Sequence, residues 1–196
     1  MKLFRYGLFA AAILGTAATQ PATAGPDARK IDAAHSTMTV RVFKSGFLSG
    51  FAHNHEIEAP IDGGEVSESG TLSVELRVDA RKLRVLDPEA SAGTRAQIQQ
   101  TMEGPQVLDS GRFPEIHFQS TSVEPKGTNE WLVQGNLDLH GQTHPVTVDV
   151  ALSDGRYRGT VTLKQTAFGI KPVTIAGGTV KVKDEVRVEF EIGLGD

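Results

Sequence analysis

The chain contains no cysteine. That absence excludes a disulfide framework, a thiolate metal site and a cysteine nucleophile, so stability has to come from a packed core. A cationic excess is also missing, with 20 Lys and Arg against 24 Asp and Glu and a net charge of −4. Neutralising duplex phosphates takes a basic patch, and nucleic acid is therefore not an expected partner. Beyond the first residues no apolar run is long enough for a membrane-spanning helix. The chain has no Gly-x-Ser-x-Gly elbow, no Gly-x-Gly-x-x-Gly and no phosphate-cradling loop, so it offers no motif for an enzyme. Tandem repeats and low-complexity tracts are absent too.

The first 24 residues read as a secretory signal peptide. Lys2 and Arg5 precede an apolar run from Gly7 to Ala18, and Ala22-Thr23-Ala24 supplies a small-x-small cleavage site. Removing this leader takes away two cations, so the mature chain of 172 residues from Gly25 carries a net charge of −6. That length suits one domain, able to bury roughly 70% of its unfolded surface, and the expected compartment is the periplasm.

What the chain does have is alternation with period two. Leu72, Val74, Leu76 and Val78 share one face of a strand-like segment, and Met38, Val40 and Val42 share another. Further strands are expected over Glu115 to Val123, Trp131 to His140, His144 to Leu152, Tyr157 to Phe168 and Val180 to Ile192. Gly63-Gly64, Gly127, Ser153-Asp154-Gly155 and Gly177-Gly178 fall between or beside them, where positive φ or tight reversal is needed. Ser91 to Met102 lacks alternation and holds good helix formers after Thr94, which predicts one short helix ended by Gly104-Pro105. The pattern is all-β, an antiparallel barrel or sandwich.

Several stretches together resemble the YceI-like family. They are Ile31-Asp-Ala-Ala-His-Ser36, Arg112-Phe-Pro-Glu-Ile-His-Phe-Gln-Ser120, the Gly135 to Val146 hairpin carrying His140 and His144, Phe168-Gly-Ile170, and Asp184 to Phe190. The resemblance runs from about Ile31 to Leu194. It implies an extended lipocalin-like antiparallel β-barrel of about eight strands, exported to the periplasm, holding a long isoprenoid lipid or similar amphiphile in an apolar interior. Such a ligand is the expected partner, a monomer or a homodimer being equally compatible with the sequence.

Candidate cavity-lining aromatics are Phe43, Phe47, Phe51 and Phe168, each of which ordinary core packing would explain as well. In Phe51-Ala-His-Asn-His-Glu-Ile-Glu58, His53 and His55 point the same way on a strand and share a face with Phe51 and Ile57. That spacing suits two imidazoles on one metal ion, with a third ligand from His140, His144 or His35. It suits equally well a lipid phosphate or quinone oxygen held at a cavity mouth, or a bond to a backbone carbonyl. The alternatives to a carrier are thus a His-dependent metal-binding protein or metalloenzyme, and an envelope interaction module with a filled core. His117 alternates with Glu115 and Gln119, which puts it on a solvated face. Arg77, Arg81, Lys82 and Arg84 form a basic cluster that reads as solvated surface, or as an attraction for an anionic head group if a cavity opens nearby.

Overall fold

Alternation along the chain becomes one antiparallel sheet in the computed structural model, which is described over residues 28–45, 54–175 and 180–195. Twelve strands take part among these residues: β1 (Ala28–Lys30), β2 (Thr37–Ser45), β3 (His55–Glu58), β4 (Ile61–Ser67), β5 (Ser73–Asp79), β6 (Arg84–Val85), β7 (Glu115–Gly127), β8 (Glu130–Leu139), β9 (Gln142–Ser153), β10 (Arg156–Lys164), β11 (Thr174–Ile175) and β12 (Val180–Ile192). Eleven lie in the order β1-β4-β5-β7-β8-β9-β10-β12-β2-β3-β6, and β11 is a short addition on β12. The expected count of about eight is thereby corrected. Strands of seven residues or more do number eight; alternation passed over one of them, β4, together with β1, β6 and β11, which have only two or three residues.

The sheet curls into a half-barrel. β3 and β4 lie near opposite ends of the order, yet only Ala59 and Pro60 separate them in the chain. The Ala59 N–H donates to the Met38 carbonyl across this corner, and the Ala59 side chain is buried. Ile31 makes a second link across the curl: its N–H donates to the Gly64 carbonyl at 3.0 Å and it forms a bridge with Leu194 beyond β12. Gly63 and Gly64, expected where positive φ or a tight reversal is needed, do have positive φ (155° and 154°), but they lie within β4, where a bulge between Ile61 and Gly63 shifts its register on β5. A Cβ on Gly64 would stand 2.1 Å from the Glu75 carbonyl oxygen, so only glycine lets the strands approach this closely.

Side chains on the inner phase build the core, including Ile31, Ile57, Ile61 and Val78 together with Leu83 and Met102 from the β5–β7 connection. That connection carries α1 (Ala92–Glu103), close to the expected helix, capped by the Ser91 hydroxyl accepting from the Thr94 N–H. Met102 is its one buried residue. Gln99 anchors the helix instead, since its side chain accepts from the Val85 N–H at 2.8 Å and donates to the Leu83 carbonyl at 2.7 Å. The short edge strand β6 thereby finds backbone partners that no neighbouring strand supplies.

The β8–β9 reversal is the two-residue turn His140-Gly141, both at positive φ (53° and 71°), the geometry that matches the right-handed twist of its arms. It sets the register Leu137 to His144 and Gly135 to Val146 that continues to Trp131 opposite Val150. The inner faces of both arms are therefore in phase along their whole length.

Candidate functional site

A cavity of about 460 Å³ runs inside the curled sheet. Its wall is contributed by inner-phase residues of nearly every long strand, among them Val40, Leu76, Val133, Val148, Val161 and Val188. Along β8 it reaches from Trp131 to Leu139, a span of about 27 Å at the rise of an antiparallel strand. The wall is overwhelmingly aliphatic and aromatic, and polar side chains gather at its two ends.

At one end stand Tyr157, Glu68, Asn129 and Trp131. The Trp131 and Tyr157 rings, from β8 and β10, are tilted against each other with centroids 5.7 Å apart, bridging over the intervening β9. The Tyr157 hydroxyl donates to Glu68 in the β4–β5 turn, and Arg29 of β1 donates to the other Glu68 oxygen at 3.1 Å. Arg29 also donates to the Gly195 carbonyl. One chain of contacts thus ties β8, β10, the β4–β5 turn, β1 and the C-terminal residues together at this rim. The Tyr157 hydroxyl, with Arg29 assisting, holds the Glu68 carboxyl below its ordinary range. Burial, and then the hydrogen bond to Glu68, push the Tyr157 phenol up.

At the other end the 3₁₀ turn Gln165–Phe168 lies against the barrel, and Phe168 is 2% exposed. Phe168, one of the four candidate aromatics, stands in the cavity wall. The two hairpin histidines both serve this residue. His140 Nδ1 bonds the Phe168 carbonyl oxygen at 3.0 Å, and the His144 ring meets the Phe168 ring edge-on at 5.2 Å. Phe113 packs on the far side of His140, with centroids 4.8 Å apart. His140 and His144 are accordingly clamps on the segment beside the cavity.

His55 does share the inner phase with Ile57, and its Nδ1 lies 2.6 Å from Asp87 Oδ2. Asp87 is 5% exposed and its other oxygen accepts from the Glu56 N–H at 2.8 Å. This pair fastens the segment after β6 onto β3. Phe47, Phe51 and His53 lie outside the described residues. Among the described residues no three His, Asp or Glu side chains are placed to share a metal ion. Phe43 does not line the cavity; it sits one step out of phase with Val42, which packs against the core. His35 bonds Asp32 at 2.8 Å near the chain start, with its side chain 73% exposed. His117 is on the outer phase, with Glu75 at 3.3 Å and Asp138 at 3.5 Å.

The basic cluster has its own counter-charges. Arg77 donates to Glu75, Arg81 makes two bonds to Asp79, and Lys82 pairs with Asp62. Arg81 holds the Asp79 carboxyl down to about 2. Arg77, Arg81 and Lys82 are thus paired on the surface, whereas Arg84 of the same cluster, on β6, is exposed. The residues that sequence reasoning missed are Trp131, Tyr157, Phe118 and Phe190, all of which line the cavity. Their signal was phase: Phe118 alternates with Ile116, and Phe190 with Val188.

The YceI-like domain model matches residues 30–194. A UPF0312 protein of Vibrio cholerae serotype O1 is 26% identical over 168 residues, covering 80% of this chain and 82% of the relative. A UPF0312 protein of Shewanella sp. strain W3-18-1 is 35% identical over a shorter stretch of 80 residues, which spans 42% of that relative's length. Among solved structures, BcnA of Burkholderia cenocepacia superposes with a TM-score of 0.64 at 19% identity, covering 85% of this chain and 99% of that one. A polyisoprenoid binding domain from Saccharophagus degradans gives 0.53 at 14% identity, covering 85% of this chain and 96% of that one. The structural likenesses speak for the shared fold. The match over nearly all of the described sheet makes this chain a member of the YceI-like domain family.

Proposed function

We propose that the protein is an exported carrier that holds an isoprenoid lipid, or a prenyl-tailed amphiphile such as a quinone, inside its barrel. The observation that carries this reading is the apolar cavity of about 460 Å³ running beneath the inner face of the sheet. That volume falls within the range of small-molecule sites, roughly 300–1,000 Å³. Transfer of a tail out of water contributes about 0.8 kcal/mol per methylene-sized group, so several prenyl units outweigh the cost of immobilisation without any reacting group. A lipid-binding role also agrees with the family and with the polyisoprenoid-binding neighbour. The Lys2/Arg5 leader and its Ala22-Thr23-Ala24 site support export to the periplasm.

The chain's single tryptophan, Trp131, lines the cavity and so reports its occupancy. Protein purified from an exporting host without detergent is expected to show an adduct of lipid mass by native mass spectrometry. After denaturing extraction and refolding, geranylgeraniol should change the Trp131 emission saturably. A bare polypeptide mass together with an unresponsive Trp131 would refute the carrier reading.

A further inference from the structure

Two glycines on the inner phase are placed where neither turn nor backbone conformation asks for them. Gly135 lies in the middle of β8 and Gly159 in β10, and neither has positive φ. Glycine weakens a strand interior, so its presence there needs another reason. That reason is a phenyl ring. A Cβ built on Gly159 would stand 2.4 Å from Cζ of Phe190, its direct cross-strand partner. A Cβ built on Gly135 would stand 2.4 Å from Cζ of Phe118 on the neighbouring strand. Both rings line the cavity. Each therefore lies down over a glycine, against the wall, instead of standing up into the lumen.

The two seats sit at different depths. Gly159 is opposite Val150, which is itself opposite Trp131, while Gly135 is opposite Val146 nearer the other end. We infer that the Gly159–Phe190 and Gly135–Phe118 pairs set the bore of the cavity, and that they are the specificity determinants admitting a methyl-branched isoprenoid chain alongside a straight acyl chain. This rests on the lipid-carrier reading. A branched chain has the larger cross-section, so it is the first to be excluded when a ring is forced upright.

The two seats respond differently to a methyl group. At Gly159 the closest atoms are Cζ and Cε1 of the ring, the far end of a side chain that can rotate, with the Asp149 carbonyl oxygen at 3.0 Å. At Gly135 the Gln119 carbonyl oxygen also lies within 2.5 Å, so an alanine there strains the backbone as well. Gly159→Ala is thus the cleaner perturbation, and Phe190→Leu, which removes the ring while leaving the glycine, is the independent one.

The experiment titrates geranylgeraniol and hexadecanol, alcohols of equal main-chain length, into wild type, Gly159→Ala, Phe190→Leu and the double variant, read by Trp131 emission. Gly159→Ala is expected to weaken geranylgeraniol at least tenfold and hexadecanol less than threefold. The double variant should return geranylgeraniol to within threefold of wild type. Phe190→Leu alone should raise the preference for the branched chain at least threefold. A folded Gly159→Ala with an unchanged branched-to-straight ratio overturns the inference while leaving the carrier reading intact. If Gly159→Ala does not fold, an unchanged ratio in Phe190→Leu overturns it. A wild type that binds neither alcohol and carries no adduct of lipid mass overturns the carrier reading itself.

Discussion

Tyr157→Phe isolates the polar lock at the Trp131 end of the cavity. The substitution keeps the ring, and with it the contact to Trp131 at 5.7 Å, but deletes the hydroxyl that donates to Glu68. A hydrogen bond to a charged group contributes about 1.5–3 kcal/mol in a dry setting. The Glu68 side chain is 36% exposed and its partner Arg29 45% exposed, so solvent screening reduces the expected loss to about 1 kcal/mol. For a domain of this size that lowers the Tm by about 3 °C. The pH dependence gives the mechanism away. Glu68 titrates below its ordinary 4.5 in the fold, so its contribution is present above pH 4.5 and lost as pH falls through the lowered value. Tyr157 titrates above its ordinary 10.0, so its contribution is complete below pH 10 and lost as pH rises beyond it. The gap in Tm between wild type and Tyr157→Phe, followed by circular dichroism, should therefore form a plateau between those limits and close on both sides. Equal melting at neutral pH, or a gap that persists once Glu68 is protonated, would refute the reasoning.

Three further perturbations test other contacts of the barrel. Ser120 is fully buried and its hydroxyl accepts from the Val74 N–H at 2.9 Å, one step past the last β5–β7 ladder pair, Glu75 and Gln119. Ser120→Ala strands that N–H and should cost about 2 kcal/mol in denaturant unfolding; a loss under about 0.5 kcal/mol would show that Val74 finds another partner. Phe168→Ala removes the ring that His144 meets edge-on and should cost about 3 kcal/mol, the low end for such truncations because the ring borders a void. An unchanged denaturation midpoint would mean that the Gln165–Phe168 turn is not docked as described. Asp79, held at about 2, contributes stability that is present above its ordinary 3.8 and lost as pH falls between those values. The acid-side slope of wild type should accordingly exceed that of Asp79→Asn in this window, and parallel slopes would remove Arg81 as its stabilising partner.

Much of the barrel was legible because alternation reports phase directly. Val180 to Ile192 is β12 with both its ends as expected, and Leu72, Val74, Leu76 and Val78 all line the cavity. The parts that were not legible have separate physical causes. Strands of two or three residues such as β6 and β11 are too short to show a period, and they exist because a neighbour or the Gln99 side chain supplies their hydrogen bonds. Gly63-Gly64 pointed to positive φ or a reversal because glycine tolerates both; the positive φ is there, but within β4, and Gly64 also permits close strand approach. The hairpin histidines were visible as a pair, but their partner Phe168 is 28 residues from His140, and a long-range contact of that kind leaves no local pattern.

Alternation also cannot separate a hollow interior from a filled one, and the reason lies in barrel size. About eight long strands enclose a space that inward side chains just fill, so a few positions decide whether a lumen remains. Here two inward positions, Gly135 and Gly159, contribute no side chain, and the neighbouring Phe118 and Phe190 rings occupy that ground instead of the centre. Each such pair removes a ring from the lumen while keeping its apolar surface covered by strand backbone. The period-two pattern is the same whether the ring lies flat or stands upright; what distinguishes the two is the cross-strand register that brings a glycine beneath it. Hollowness in this fold is therefore encoded in pairs of residues on adjacent strands, 17 residues apart for Gly135 and Phe118 and 31 apart for Gly159 and Phe190, and it becomes readable only once the register is known.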